Sequence, residues 1–189
     1  MKPANPKLSL IIELLDGAGI TYRRISHEPT RTSEDSARAR GEALETGGKA
    51  LLLKAGDSFS VFVLSAALKL DSQAVKKHLG VKSLRFATAD ELLELTGLVP
   101  GSVPPFGEPV LPFSLYIDES IEANDRIAFN AGSLTDSLVL NTNSNLFQSV
   151  DVHTAIFRPY RRSIAFEVLL IGCLAANVPL SWILGFMAV

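Results

Sequence analysis

A chain of 189 residues with 47% hydrophobic and 20% charged side chains has enough apolar material for one packed domain and is too apolar to stay disordered. Its net charge of −2 excludes a protein that grips nucleic acid by broad phosphate contact, so any such contact has to be local and weak, or handed on by a partner. The single cysteine, Cys173, excludes an internal disulfide framework and fits a reducing compartment, the cytoplasm.

The opening segment, MKPANPKLSLIIELLDGAG, does not read as a signal peptide, because its apolar run is short and Glu13 and Asp16 interrupt it. Leu8, Ile11, Ile12, Leu14 and Leu15 recur at helical spacing, and the helix should stop at Gly17-Ala18-Gly19. ITYRRIS, 20–26, alternates as a short strand. Thr32 or Ser33 caps a second helix expected to run to about Leu44, with Glu34 and Asp35 in its favourable first turn. KALLLKA and SFSVFVLSA, around Gly56-Asp57, predict a hairpin. Asp71 caps a helix that ends at Gly80, SLRFA reads as a strand, and Thr88 with Glu91 forms a capping box for a helix closed by Gly97. Beyond the proline- and glycine-rich stretch VPGSVPPFGEPVLP, 99–112, come three strand-like runs: FSLYIDES, DRIAFNAG and SLVLN. Strands and helices interleave without a regular βαβ rhythm. The expected fold is α+β, a mixed, largely antiparallel and barrel-like sheet with surrounding helices.

Several chemistries find no support. There is no P-loop and no GxGxxG after a strand. His27, His78, His153 and Cys173 share no metal-ligand spacing, so no metal or other cofactor is expected. Ser102 follows a glycine without a GxSxG elbow. Asp118-Glu119 reads as a solvated strand end.

The order of the remaining features is distinctive. A lysine opens the strand in GGKALLLKA; a hairpin partner and KLDSQAVKKHLGVKSLRFATADELLELTG follow; then GSVPPFG and, one strand later, FNAG. Over roughly residues 8–150 this resembles the YbaK / prolyl-tRNA synthetase-associated domain family, the free-standing aminoacyl-tRNA editing deacylases. The resemblance implies a trans-editing hydrolase that cleaves the ester joining a wrong, small amino acid to the 3′ end of a tRNA. The partner implied is the acceptor end of aminoacyl-tRNA, with an aminoacyl-tRNA synthetase as a further candidate. It implies Lys49 as the substrate clamp and the amides of Gly101 and Ser102 as the groups holding water or the developing oxyanion. Pro104, Pro105, Phe106 and Gly107 stiffen and complete the loop, and Gly132 faces the pocket flanked by Asn130 and Ser133. Asp136 is a candidate for recognising the amine, and His27 for a place near the pocket mouth. The SLTDSL that follows the second glycine matches neither the cysteine-clearing nor the alanine-clearing pattern, so the amino acid stays open.

The resemblance covers an editing domain over 1–150 and leaves an apolar tail over 151–189. From Ile164 the tail carries Glu167 as its one charge, after Arg158, Arg161 and Arg162. Its length suits a bilayer span, but Asn177 and Pro179 divide it into two pieces of core-helix length. A buried or partner-docking helix pair is favoured over a membrane anchor. The rival to an enzyme is a binding module that has kept the fold and lost turnover, docked or membrane-attached through this tail.

Overall fold

The structure, a computed structural model, describes residues 5–142 and 152–155. The chain runs through α1 (Pro6–Gly17), β1 (Tyr22–Ser26), α2 (Ser33–Arg40), a 3-10 turn (Leu44–Thr46), β2 (Gly48–Ala55) and β3 (Ser58–Ser65). It continues with α3 (Ser72–Leu79), β4 (Leu84–Phe86), α4 (Ala89–Thr96), β5 (Ser114–Asp118), α5 (Glu119–Glu122), β6 (Arg126–Asn130), β7 (Asp136–Asn141) and β8 (Val152–Ala155). The apolar run expected over 164–189 and its arginine flank lie outside the described residues.

The α+β class holds, but the barrel-like closure does not. The strands form two sheets, β1-β7-β6 and β4-β2-β3-β5-β8. The first is antiparallel throughout; in the second, β5 joins β3 and β8 joins β5 in parallel. The two sheets touch through one isolated bridge, Gly47 to Ala128. Just beyond it the Ile127 side chain occupies the space where a Cβ on Gly48 would sit, only 2.6 Å away. Side-chain packing replaces strand pairing there, so the sheets stack instead of closing. β8 lies beyond residue 150 and is not among the expected strands.

β3 is the central strand. Val61, Phe62, Val63 and Leu64 are all fully buried, a run covered on both faces rather than an alternating one. Val61 and Val63 enter the main core with Leu8, Ile11 and Leu15 of α1 and Ile127, Phe129 and Leu138 of the other sheet. Phe62 enters a smaller cluster with Leu53 and Val75 beneath α3 and stacks on Tyr116 at 4.7 Å. Each such side chain contributes about 1.5–3 kcal/mol by burial.

Local caps place the helices. Asn5 caps α1, accepting from the Leu8 N–H, and its amide donates to the Ala131 carbonyl at 2.9 Å. Thr32 caps α2, which ends at Arg40 rather than near Leu44 because Gly41 turns left-handed at φ +67° and sends its N–H back into the last turn. Asp118 is buried rather than solvated and caps the short helix α5 through the Ser120 N–H.

The capping box of α4 forms as expected, and Arg85 strengthens it with two hydrogen bonds of 2.7 Å to Glu91. Those bonds, together with one from the Thr88 N–H, hold the Glu91 carboxyl at about 2, below its ordinary 4.5. A carboxyl depressed in the folded state stabilises above its unfolded value and loses that contribution as pH falls. Glu91→Gln should therefore lower the melting temperature at pH 7, and the gap to wild type should close between pH 4.5 and about 2 in thermal melts.

Candidate active site

A cavity of about 80 Å³ lies where the start of β2, the N-terminal turn of α2 and the loop after α4 meet. Of the residues expected in the site, Lys49, Gly101 and Asn130 line it. Lys49 is half-buried, and its ammonium donates to the Leu68 carbonyl at 2.5 Å. Desolvation pushes its pKa below the ordinary lysine value, and the Glu34 carboxylate opposes that shift. Two of its three N–H donors remain for other acceptors.

Gly101 sits at φ +88°, a conformation costly for any residue with a Cβ. Its carbonyl accepts from Asn130 Nδ2 at 2.8 Å. Asn130 Oδ1 in turn accepts from Arg40 Nη2 at 2.6 Å and from the Ser137 hydroxyl at 3.0 Å. Arg40 is buried on α2, with further bonds to Ser137 Oγ and the Ala128 carbonyl. Burial pushes its guanidinium down to about 10, although nearby Glu42 raises it. Arg40 lines the cavity and is absent from the expected set. The signal available was its spacing: Ser36, Ala37 and Arg40 share one face of an otherwise polar helix, the face that is buried.

Ser102 does not play the part expected of it. Its N–H donates to the Val99 carbonyl at 3.0 Å, and its hydroxyl closes the same turn, donating to that carbonyl and accepting from the Val99 N–H. Neither group is available to a ligand. The neighbouring amides differ. Neither the Gly101 nor the Val103 N–H donates to an acceptor among the described residues, and both residues line the cavity. Val103 is buried, and a buried N–H is seldom left without a partner.

Pro104, Pro105, Phe106 and Gly107 are buried behind the cavity rather than in its lining. Phe106 packs edge-on against Phe129 at 5.6 Å. A Cβ on Gly107 would lie 2.8 Å from the Phe113 carbonyl, so this glycine permits the approach to β5 and touches no ligand. Gly132 and Ser133 face away as well. The Gly132 N–H donates to the Ser102 carbonyl at 3.1 Å, and its absent Cβ leaves room for Lys7 of α1. Gly132, Ser133 and Asp136 line a separate cavity of about 300 Å³ at the start of α1, which contains neither Lys49 nor Gly101. Asp136 accepts there from Ser26, Arg24 and Ser133, so it is not an amine-recognising group of the Lys49 cavity. His27 touches the Lys49 cavity only indirectly, through Ser137 Oγ at 2.8 Å.

The cavity thus combines main-chain donors, one ammonium and four hydroxyls, with no cysteine or histidine in its lining. Such a set can polarise a carbonyl or hold a water beside it. A chain that builds a small electropositive cleft from a rigid loop on an α+β scaffold is the class defined here. A family model described as the aminoacyl-tRNA editing domain matches residues 27–146, and the chain belongs to that family. It is 39% identical over 139 residues to the multifunctional Ser/Thr-tRNA deacylase ProXp-y of Escherichia coli, covering 70% of this chain and 81% of that protein. It is 32% identical over 113 residues to a proline–tRNA ligase of Shouchella clausii, covering 60% of this chain but 19% of that enzyme. A crystallised protein assigned as a trans-editing enzyme for prolyl tRNA synthetase superposes with a TM-score of 0.69 over 84% of this chain and all of its own. At 23% identity, that likeness speaks for the fold alone.

Asn130→Ala would leave Arg40 Nη2 and the Ser137 hydroxyl without their shared acceptor and release the Gly101 carbonyl. It should destabilise the fold by about 1–3 kcal/mol in denaturant melts.

Proposed function

We propose that this chain is a trans-editing deacylase that hydrolyses mischarged aminoacyl-tRNA, its editing domain spanning the first 150 or so residues and the strand β8. The observation that carries this reading is the convergence of Lys49 with the Gly101–Val103 main chain on one cavity of about 80 Å³. The ester carbonyl oxygen lies against the free amides of Gly101 and Val103, which hold the negative charge that develops as water attacks the carbonyl carbon. The bond from that carbon to the ribose oxygen then breaks. The amino acid leaves as its acid, and the water's proton ends on the ribose hydroxyl. Lys49 holds the terminal nucleotide's phosphate or ribose oxygens with its remaining donors. An aminoacyl ester is already activated, so exclusion by size and fixed dipoles suffice without a strong base. No cofactor enters the reaction.

A local basic track supports the placement of the acceptor arm. Between Lys49 and Arg85 the sequence carries seven cations against two carboxylates, Asp57 and Asp71. Lys69 follows the residue that accepts the Lys49 ammonium. α3 then returns along the β2–β3 hairpin towards Gly56, whose N–H donates to Ser83. Lys69, Lys76, Lys77 and Lys82 form no ion pair with a described residue. This cluster of lysines, close together in the sequence, suits the phosphates of a short duplex, while the overall charge of −2 leaves the rest of tRNA affinity to a synthetase partner in the cytoplasm.

The deciding experiment is release of amino acid from a panel of charged tRNAs, headed by the seryl and threonyl esters for which the Escherichia coli relative is named. Lys49→Ala should lower kcat/KM by about 100-fold or more. No release from any ester by the wild-type chain would leave a binding module instead. Lys76→Gln and Lys77→Gln should raise KM with little change in kcat and flatten the salt dependence by roughly one unit of slope for each phosphate no longer neutralised.

A further inference from the structure

His27 follows the last residue of β1 and stands outside the lining of the Lys49 cavity. Three hydrogen bonds in series connect it to the Gly101 loop. His27 Nε2 meets Ser137 Oγ at 2.8 Å, Ser137 Oγ meets Asn130 Oδ1 at 3.0 Å, and Asn130 Nδ2 donates to the Gly101 carbonyl at 2.8 Å. Ser137 and Asn130 are opposite each other on β7 and β6, and both are buried. The protons along this series can be counted. The other ring nitrogen, Nδ1, lies 2.8 Å from the Glu28 carbonyl. A carbonyl only accepts, so Nδ1 carries a hydrogen. Ser137 has one hydroxyl proton, and its oxygen already receives the Arg40 Nε hydrogen at 2.9 Å.

With the ring neutral, Nε2 is a bare acceptor, and Ser137 has one proton for two acceptors. The nearer is Nε2, and Asn130 Oδ1 already accepts from Arg40 Nη2 at 2.6 Å. The hydroxyl turns to the ring, and its oxygen is left against that of Asn130. With the ring protonated, Nε2 donates to Ser137, the hydroxyl turns to Asn130, and every contact in the series is met. We infer that His27 is a positioning residue of the site: its charge sets the direction of the Ser137 hydroxyl, and through it how firmly Asn130 holds the Gly101 carbonyl and the amides beside it. This rests on the deacylase reading for its consequence, which is faster turnover with His27 protonated. Histidine is the side chain that ordinarily changes charge between pH 5 and 8. The charged groups around it are Asp136 on β7, which accepts from Ser26 and Arg24, Arg40 on α2, which shares Ser137, and Glu28 beside it in the chain.

The test measures kcat from acid to alkaline pH across the histidine range, on whichever ester of the panel is released fastest and after subtraction of spontaneous hydrolysis. It uses the full-length wild-type chain and its His27→Gln and Ser137→Ala variants. The glutamine amide can donate to Ser137 at every pH, and alanine breaks the series, so neither variant has the histidine step. The ratio of wild type to His27→Gln should fall by about two- to ten-fold as pH rises through that range, the worth of one hydrogen bond, and the ratio of wild type to Ser137→Ala should fall in parallel. Ratios that stay constant with pH overturn the inference, because a purely structural role lowers the rate equally throughout. Ratios that rise with pH overturn it too. A second readout needs no substrate: the Asn130 side-chain amide signals in NMR spectra should titrate in step with the His27 ring in wild type and not in Ser137→Ala. Their failure to move in wild type overturns the inference whatever the rates show. If they move and wild type hydrolyses no ester, the deacylase reading falls and the link from His27 to Asn130 stands.

Discussion

The site depends on the orientation of one carboxamide. Asn130 presents its oxygen to two donors, Arg40 and Ser137, and its nitrogen to one acceptor, the Gly101 carbonyl. Turned over, it would set donor against donor at Arg40 and oxygen against oxygen at Gly101, so its neighbours fix it. Its effect on the loop is specific. The peptide between Gly101 and Ser102 is held at both ends, its carbonyl by Asn130 and its N–H by Val99. The amides on either side of that plane, those of Gly101 and Val103, have no acceptor among the described residues, and both residues line the cavity. A rigid plane flanked by two free donors is what pre-organised stabilisation of charge requires.

The scaffold explains how those parts come together. β3, buried on both faces, anchors the hairpin that begins at Gly48 and so fixes the position of Lys49. Gly48 lets Ile127 of the other sheet pack against it, which brings β6 and its Asn130 beside β2. The start of α1 braces the loop from behind: Asn5 reaches the Ala131 carbonyl, Lys7 reaches that of Val110, and Gly132 makes room for both helix residues while donating to Ser102. Gly107 and Gly132, read as ligand contacts, therefore prove to be points of close packing between elements.

Helix starts and the hairpin were legible because their causes are local. Thr32, Asp71 and the Thr88–Glu91 box act on amides within three residues of themselves. β8 was not expected: its parallel pairing to β5 depends on a strand far away in the chain. Lys49 and Gly101, taken from the family pattern, line one cavity, but the N–H expected to be free on Ser102 is the one on Val103. The sequence names side chains, and the distinction between these two lies in which backbone N–H a turn has already used. Gly132 misled for a related reason. A glycine shows that a Cβ is not tolerated without saying what excludes it, and here the neighbour is α1. Arg40 was hidden by its charge, since arginine on a short polar helix reads as solvated until the carbonyl and carboxamide that receive it are seen.

The main-chain chemistry we propose places an unusual demand on position 103. The isopropyl group of Val103 is incidental to the donor it presents, because every amino acid but one would supply the same hydrogen there. The side chain at 103 answers to the core it packs into, while the donor depends on the backbone nitrogen alone. Only an imino acid would erase it, and the chain already has one at each of the next two positions.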